Sequence, residues 1–249
     1  MTRSTTIPPL RGLLPLVLLL GFWQLTGSPE SPYFPPPSAW AEGIADQWSS
    51  GALLPAAGAT VSTFLVALAV AIVLGTATGL LVGALPLADR ALNPTLEFMR
   101  AMPPAALIPI ATLLIGYNGQ MKVAVATLAA MWPILLNTRA AVRRLDPVLV
   151  ETARSLHLTA WQRVTKVTFP ALVPGIFLGV RVGAPIGLVV TLLVEFLTQV
   201  DGVGGLIATA QRSYLSAEVW GLILVAGIFT LLVTSLIGAI EGRVLRHRP

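Results

Sequence analysis

The sequence predicts an all-α, polytopic membrane protein with about six transmembrane helices, because long apolar runs of spanning length dominate it. Of its 249 residues, 55% are hydrophobic and 11% are charged, whereas soluble domains carry about 25% charged residues. No charged residue occurs from Gln47 through Ala88, and one spanning helix needs only about 20 apolar residues. A membrane β-barrel would instead show alternating segments of about ten residues.

Residues 1–57 are predicted to form an N-terminal transmembrane helix, over residues 10–26, and a proline-rich segment outside the membrane. A charged start, an apolar centre and small residues at the end would also suit a cleaved signal peptide. We favour a retained helix, because no Ala-x-Ala-like cleavage site follows the apolar centre. A short surface helix over residues 39–48 should then lie at the membrane–water interface, where Trp40 and Trp48 are favourable.

Residues 58–249 are predicted to form a core of about five further spans. The second of these should begin at Asn93-Pro94, an N-cap followed by proline in the first helical position. Pro103 and Pro104 then interrupt it. Irregular backbone at bilayer depth is tolerated only where protein or a water-filled cavity covers it, so both prolines are candidates for lining such a cavity. The other predicted spans of the core cover residues 58–85, 121–142, 171–196 and 217–240.

Two of the predicted spans carry glycine at every fourth position. Glycines at that spacing form a smooth stripe on which another helix can pack closely. We therefore predict a helix-packing seam along each stripe. The two files are Gly75, Gly79 and Gly83, and Gly175, Gly179, Gly183 and Gly187.

Nearly all basic residues fall on one side of the predicted topology, and only Lys122 and Arg212 fall clearly on the other. By the positive-inside rule, both termini and the segment 143–170 are expected to be cytoplasmic, in a multi-pass membrane protein. This one-sided distribution explains the high sequence pI of about 10.4 without a nucleic-acid partner. We therefore expect membrane lipid as a partner and not nucleic acid. The basic residues on the cytoplasmic side are Arg3, Arg11, Arg90, Arg139, Arg143, Arg144, Arg154, Arg163, Lys166, Arg243, Arg246 and Arg248.

Residues 143–170, here named the basic loop, form a polar, cationic insertion between two apolar spans. A first helix should start after Asp146, an N-cap followed by proline. Thr159 with Gln162 matches the capping box that starts a second helix, and Pro170 should stop that helix. Two capped helices joined by a tight turn favour docking on a soluble partner. The alternative is a solvated connection between spans.

The basic loop resembles the EAA loop of the membrane-spanning permeases of binding-protein-dependent ABC importers. The family pattern reads E-A-A, three residues, G, nine residues, I, one residue, L-P, and Glu151, His157 and Pro170 occupy its first, fourth and last defined positions. Thr152 replaces an alanine, and His157 replaces a glycine that allows positive φ, a conformation that histidine tolerates better than most residues. Passages similar to the aliphatic sulfonate, taurine and nitrate branch occur at residues 92–97, 102–109, 137–138 and 194–196.

This resemblance implies a location in the bacterial cell membrane and the fold of a type I ABC importer permease. In that fold the basic loop is a cytoplasmic helix-turn-helix that couples transport to a separate ATPase. The implied partners are a dimer of ABC ATPase subunits that bind ATP and Mg, a second permease copy in a homodimer or related heterodimer, and an extracytoplasmic solute-binding protein. The implied solute is small and either anionic or heterocyclic. The implied coupling residues are Glu151, Thr152, Ala153, Arg154, His157, Phe169 and Pro170.

Two charges in the span after the basic loop join Pro103 and Pro104 as candidates for the translocation pathway. A charge at bilayer depth faces the bundle interior or a wet cavity. Arg181 would attract an anionic solute, and Glu195 lies near the outer end of the span. The alternative for Arg181 is a structural ion pair, with Glu97 a possible partner, because buried charges are generally paired.

The sequence contains no motif of an enzyme, a cofactor site or a metal site. It lacks the Gly-x-x-x-x-Gly-Lys-Ser/Thr loop that holds nucleotide phosphates, and it has no cysteine and two histidines. ATP hydrolysis is therefore expected in another subunit. Two further classes stay open. An ion-gradient-driven secondary transporter would need a coupling carboxylate near mid-membrane, and a membrane scaffold would use the basic loop only to recruit a cytosolic protein.

Overall fold

The computed structural model describes residues 9–29, 31 and 33–245, and the regular elements in this part of the chain are helices. Arg3, Arg246 and Arg248, used in the charge argument, lie outside the described residues. The helices are α1 (Pro9–Thr26), α2 (Pro37–Ser49), α3 (Leu53–Ala84), α4 (Pro86–Ala101), α5 (Ile108–Ile115), α6 (Gly119–Arg143), α7 (Pro147–Ser155), α8 (Ala160–Arg163), α9 (Phe169–Thr198), α10 (Val203–Arg212) and α11 (Ser216–Leu245).

Four helices of the described chain are long and apolar enough to cross a membrane: α3, α6, α11 and the continuous helix Ala160–Thr198, which contains α8 and α9. The helices α4 and α5 are bent by 90° at their junction and make a fifth span if they are counted together. The apolar part of α1, Leu14–Thr26, is shorter. The predicted number of about six is reached by counting the bent pair and α1 as spans.

Helix α6 lies between α3 and α9, and both glycine files pack against it. A Cβ added to Gly79 of α3 would lie 2.7 Å from the carbonyl oxygen of Leu135. One added to Gly183 of α9 would lie 2.6 Å from that of Ala130. Real Cβ atoms essentially never come closer than 3.0 Å, so side chains would force the helices apart. The predicted packing seams are confirmed, and both are used within one chain around one central helix.

The prediction that Asn93 caps a helix is wrong. Helix α4 begins at Pro86, whose fixed φ suits a first helical turn, and Pro94 lies inside the helix. The Asn93 side-chain oxygen instead accepts a 2.7 Å hydrogen bond from the Arg139 guanidinium of α6. A tertiary contact from a distant helix thus occupies the side chain that was predicted to cap the helix.

The predicted interruption at Pro103 and Pro104 is confirmed. Met102 and Pro103 have extended backbone, with ψ angles of 124° and 123°. A 3₁₀ turn, Pro104–Leu107, then leads directly into α5. Proline cannot donate a backbone hydrogen bond and disfavours the α conformation in the residue before it, so two successive prolines end α4 and allow the sharp bend.

A tryptophan cluster joins the N-terminal helices to α11. The Trp23 ring of α1 packs edge-on against Trp40 of α2 at 5.1 Å and against Trp220 of α11 at 4.7 Å. Trp40 is buried, and its indole N–H donates to the Pro35 carbonyl over 3.2 Å. The Trp40 ring therefore packs against other side chains of the protein, and its predicted position at the membrane–water interface stays a prediction. Trp48 is exposed, as an interfacial ring would be. The division of the chain at residue 57 stays a prediction.

Candidate functional site

The first helix of the basic loop is held by local hydrogen bonds at both ends. At its start, the Asp146 side chain accepts a 2.9 Å hydrogen bond from the Val148 N–H. At its end, the Leu158 N–H donates to the Ala153 carbonyl over 3.2 Å, and His157 adopts a positive φ of 53°. A left-handed residue followed by such a return bond is a common helix terminator. The positive φ expected at this turn is confirmed, and it is occupied by histidine.

The second helix of the loop starts as predicted but does not stop where predicted. The Gln162 N–H donates to the Thr159 hydroxyl over 3.3 Å, and the Thr159 N–H donates to the Gln162 side chain over 3.0 Å, which completes the capping box. The expectation that Pro170 ends the helix is wrong. A π-helical turn, Val164–Thr168, carries the helix into α9. Its wider spacing relieves the clash that a proline ring makes with the carbonyl four residues earlier in an α-helix.

The basic loop exposes several large apolar side chains while burying one small residue. Ala153 is buried, whereas Trp161 is 75% exposed and Leu156 is 68% exposed. Apolar side chains in contact with water do not stabilise a solvated connection, whereas exposed apolar patches are typical of interaction sites. The further apolar side chains exposed on the loop are Val148, Leu149, Val164 and Phe169.

The predicted coupling residues lie together on this exposed loop. Glu151, Thr152, Arg154 and His157 are exposed, and Pro170 is half-buried. The Thr152 hydroxyl donates to a backbone carbonyl one turn earlier, over 2.8 Å. Among the predicted coupling residues, the exposed ionisable groups are the Glu151 carboxylate, the Arg154 guanidinium and the His157 imidazole.

Arg181 and Glu97 do not pair, and that suggested partnership is wrong. Glu97 lies 2.7 Å from Arg100, one turn along the same helix. The Arg181 guanidinium lies 3.7 Å from the Glu241 carboxylate near the end of α11, and its side chain remains 58% exposed. Arg181 thus has an ion-pair partner on a neighbouring helix and also an accessible surface. Of the two pathway prolines, Pro103 is exposed and Pro104 is half-buried.

Glu195 lies in a buried polar cluster, here named the Glu195 cluster, with Lys122, Thr60 and the backbone at residues 201–204. The Glu195 carboxylate is 3.2 Å from the Lys122 ammonium, and these side chains are 0% and 4% exposed. The Thr60 hydroxyl donates to the same carboxylate over 2.8 Å, and the Gly204 N–H donates over 3.2 Å. Lys122 also donates to the Asp201 carbonyl over 2.5 Å. Each charge is therefore compensated inside the protein.

The Glu195 cluster positions α10, a helix that sequence analysis missed. The Val203 N–H in its first turn donates to the Thr60 hydroxyl over 2.9 Å. Gly202 has a φ of 152°, and a Cβ there would overlap the Glu195 carboxyl group. Because glycines lower helix propensity, the glycine-rich start of α10 did not indicate a helix. Leu206 and Ile207, adjacent apolar residues, are the signal that could have indicated it.

In the described part of the chain, no three His, Asp or Glu side chains lie close enough together to hold a metal ion. The polar side chains of both regions are instead placed for hydrogen bonds and ion pairs. The geometry therefore suits docking at the basic loop and helix positioning at the Glu195 cluster.

The described chain is thus a helical bundle with one sharply bent helix pair and an exposed helical loop. Residues 71–247 match the family described as binding-protein-dependent transport system inner membrane component. The chain belongs to this family, and it is a permease subunit of an ABC importer.

Several curated relatives are similar over most of the chain. The nitrate import permease NrtB of Leptolyngbya laminosa is 30% identical, over 92% of this chain and 85% of that protein. The bicarbonate transport system permease CmpB of a Synechocystis species is 28% identical, over 86% of this chain and 80% of that protein. The putative aliphatic sulfonates transport permease SsuC of Bacillus subtilis is 27% identical, over 70% and 63%. The predicted resemblance to the sulfonate and nitrate branch is confirmed.

A solved structure shares the fold. The inward-facing MetNI methionine ABC transporter matches with a TM-score of 0.65 and 18% identity, over 80% of this chain and 96% of that chain. The predicted type I permease fold is confirmed.

Proposed function

We propose that this chain, paired with a second permease copy that is identical or related, forms the pathway of an ATP-driven importer, and that its basic loop docks on a separate ATPase subunit. One observation carries the proposal: the loop is fixed by its own caps, yet its apolar and charged side chains face outward. A preformed surface of this kind loses little conformational entropy when a partner binds. The ATPase supplies ATP and Mg binding and hydrolysis. An extracytoplasmic binding protein delivers the solute.

The proposed solute is a small anion. Relatives are named for nitrate, bicarbonate and aliphatic sulfonates, which are all compact oxyanions. An oxyanion needs a fixed positive group on its path, and Arg181 supports this because its guanidinium is accessible inside a spanning helix. Pro103 and Pro104 contribute by bending the α4–α5 span, which creates irregular backbone of the kind that lines cavities.

Glu195 serves the pathway indirectly in this proposal. It has no exposed side-chain surface, and its carboxylate is already engaged by Lys122, Thr60 and Gly204. It therefore acts by holding α10 in place and not by contacting solute. The orientation that fits these roles puts the basic loop and both termini in the cytoplasm and α10 on the outer side.

Co-purification with the cognate ATPase tests the docking proposal. We expect Glu151→Arg to remove the ATPase from the purified complex and to abolish ATP-driven uptake in proteoliposomes, because it reverses a charge on the docking surface. Glu42→Arg makes the same charge reversal at an exposed position of α2 and should retain both properties. If the Glu151→Arg variant binds the ATPase as well as the wild type does, the docking proposal is refuted.

Two charge-neutralising variants, Arg181→Gln and Glu241→Gln, distinguish a solute-contacting role of Arg181 from a purely structural one. If Arg181 contacts solute, Arg181→Gln abolishes uptake while assembly persists, and Glu241→Gln retains uptake. If the pair is only structural, both variants lose assembly to the same degree, because each removes the same 3.7 Å contact. Complex yield and uptake, measured on the same preparations, distinguish these outcomes.

A further inference from the structure

A polar cavity lies where α3 and α6 end and α4 begins. Its volume is about 590 Å³. We propose that this cavity, here named the arginine pocket, binds the phosphate of an anionic phospholipid. The proposal goes beyond solute import and rests only on the proposed orientation of the chain. The pocket is lined by Gly83, Pro86, Asp89, Arg90, Asn93, Arg139 and Arg143.

The arginine pocket carries more positive charge than its carboxylate, Asp89, can neutralise. Asp89 is paired with both Arg139 and Arg143. Arg90 is exposed and has no hydrogen-bond or ion-pair partner among the described residues. Three arginines and one aspartate thus line the pocket, which leaves two net positive charges for a ligand. Guanidinium groups bind phosphate oxygens through paired N–H donors.

The pocket is built by contacts between helices and not only by a local run of basic residues. Arg139 is 11% exposed, and it is fixed by Asp89 and by the Asn93 side chain at 2.7 Å. The positive-inside rule accounts for the number of arginines on this side of the membrane. It does not account for the convergence of two arginines of α6, Arg139 and Arg143, on one buried carboxylate of α4. That convergence indicates a binding site.

The surroundings favour a lipid over a free anion. Gly83 and Arg143 lie at the ends of two spanning helices, so the pocket opens at the membrane surface. Large apolar side chains are exposed beside it, including Leu81, Leu85 and Leu87. Apolar neighbours do not stabilise a bound soluble oxyanion, whereas the acyl chains of a phospholipid would bury these leucine side chains. Basic pockets between spanning helices on the cytoplasmic side are known to suit anionic headgroups.

Native mass spectrometry of the purified full-length protein tests the proposal. The protein is exchanged into mixed micelles with phosphatidylglycerol or phosphatidylcholine, and retained lipid is counted. We expect the wild type to prefer phosphatidylglycerol. Arg90→Gln/Arg143→Gln should lose about twenty-five-fold of that preference, because each arginine near an anionic headgroup contributes about fivefold. Arg154→Gln/Arg243→Gln removes the same charge at exposed positions outside the pocket and should keep the preference.

Two further measurements distinguish loss of lipid binding from misfolding, and a lipid site from a site for soluble anions. Arg90→Gln alone removes no hydrogen bond or ion pair within the described chain, so it should fold normally and still lose about fivefold of the preference. Added inorganic phosphate should not displace the lipid. Displacement by millimolar phosphate would instead show a site for soluble oxyanions and overturn the lipid assignment. An equal loss in the Arg154→Gln/Arg243→Gln variant, or no preference in the wild type, would also overturn it. The readout does not involve the ATPase, so it fails independently of the docking proposal.

Discussion

The basic loop and the Glu195 cluster are both rich in charge, but they use it in opposite ways. The loop holds its charges on an exposed surface, with Glu151 and Arg154 turned outward. The cluster buries Lys122 and Glu195 almost completely and pairs them. A charge left exposed on a fixed surface is available to another molecule. A charge compensated in the interior can only hold its own chain together.

The two regions also differ in the sequence separation of their contacts. Hydrogen bonds that shape the loop join residues two to five positions apart, as between Asp146 and Val148. In the cluster, Glu195 joins Lys122 across 73 positions and Thr60 across 135. Local contacts form without the rest of the fold, whereas the long-range contacts require it. We therefore expect changes in the cluster to affect folding and changes in the loop to affect partner binding.

The largest effect is expected at Gly202. Gly202→Ala places a Cβ against the Glu195 carboxyl group and also strains a φ of 152°. It should prevent stable folding, seen as loss of monodisperse protein in detergent. Gly51→Ala is the matched control, because Gly51 has a φ of 74° but open space around it. That variant should lose only about 1–2 kcal/mol of unfolding free energy. Equal damage in both variants would show that backbone strain alone is responsible.

Breaking the buried ion pair should have the next largest effect. Lys122→Met leaves the Glu195 charge buried without its partner and should lower the unfolding free energy by about 3–5 kcal/mol. Adding Glu195→Gln should restore at least about 1 kcal/mol, since it removes that charge and retains the hydrogen bonds. Arg100→Ala, which breaks the exposed pair with Glu97, should cost at most about 1 kcal/mol. Denaturant titrations in detergent measure all three. A double variant no more stable than Lys122→Met would contradict this interpretation.

The smallest effect is expected at the turn of the basic loop. His157→Val should destabilise the turn by about 1–2 kcal/mol, because β-branched residues strongly disfavour positive φ. His157→Gly should leave it intact. Hydrogen exchange of the Leu158 amide, which bonds to Ala153, should accelerate only in the valine variant, with global unfolding unchanged. A change in global stability would show that the loop is part of the core.

The sequence predicted the elements whose causes are local. Caps at Asp146 and Thr159 follow from the hydrogen-bonding groups of single side chains, and the breaks at Pro103 and Pro104 follow from the conformational limits of proline. The glycine seams are contacts between distant helices, but the spacing of the glycines marks the packing face within each helix. The predictions failed where a distant helix decides the outcome. Lys122 was placed on the outer side of the membrane, but nothing near it in the sequence indicates Glu195 as its partner.

The remaining errors have two origins. Asn93 resembled a cap, but Arg139 of a distant helix occupies its side chain. Pro170 appeared to be a helix terminator, but a π-helical turn, which is a local change of the backbone, accommodates it.

Site-directed cross-linking tests most directly whether the basic loop is the contact with the ATPase. The chain contains no cysteine, so Leu156→Cys on the loop and Tyr214→Cys between α10 and α11 each provide a single thiol at an exposed position. With a cysteine in the ATPase cleft, Leu156→Cys should form a nucleotide-sensitive cross-link and Tyr214→Cys should form none. An ATPase cross-link from Tyr214→Cys alone, or labelling of Leu156→Cys from outside intact cells, would contradict the account.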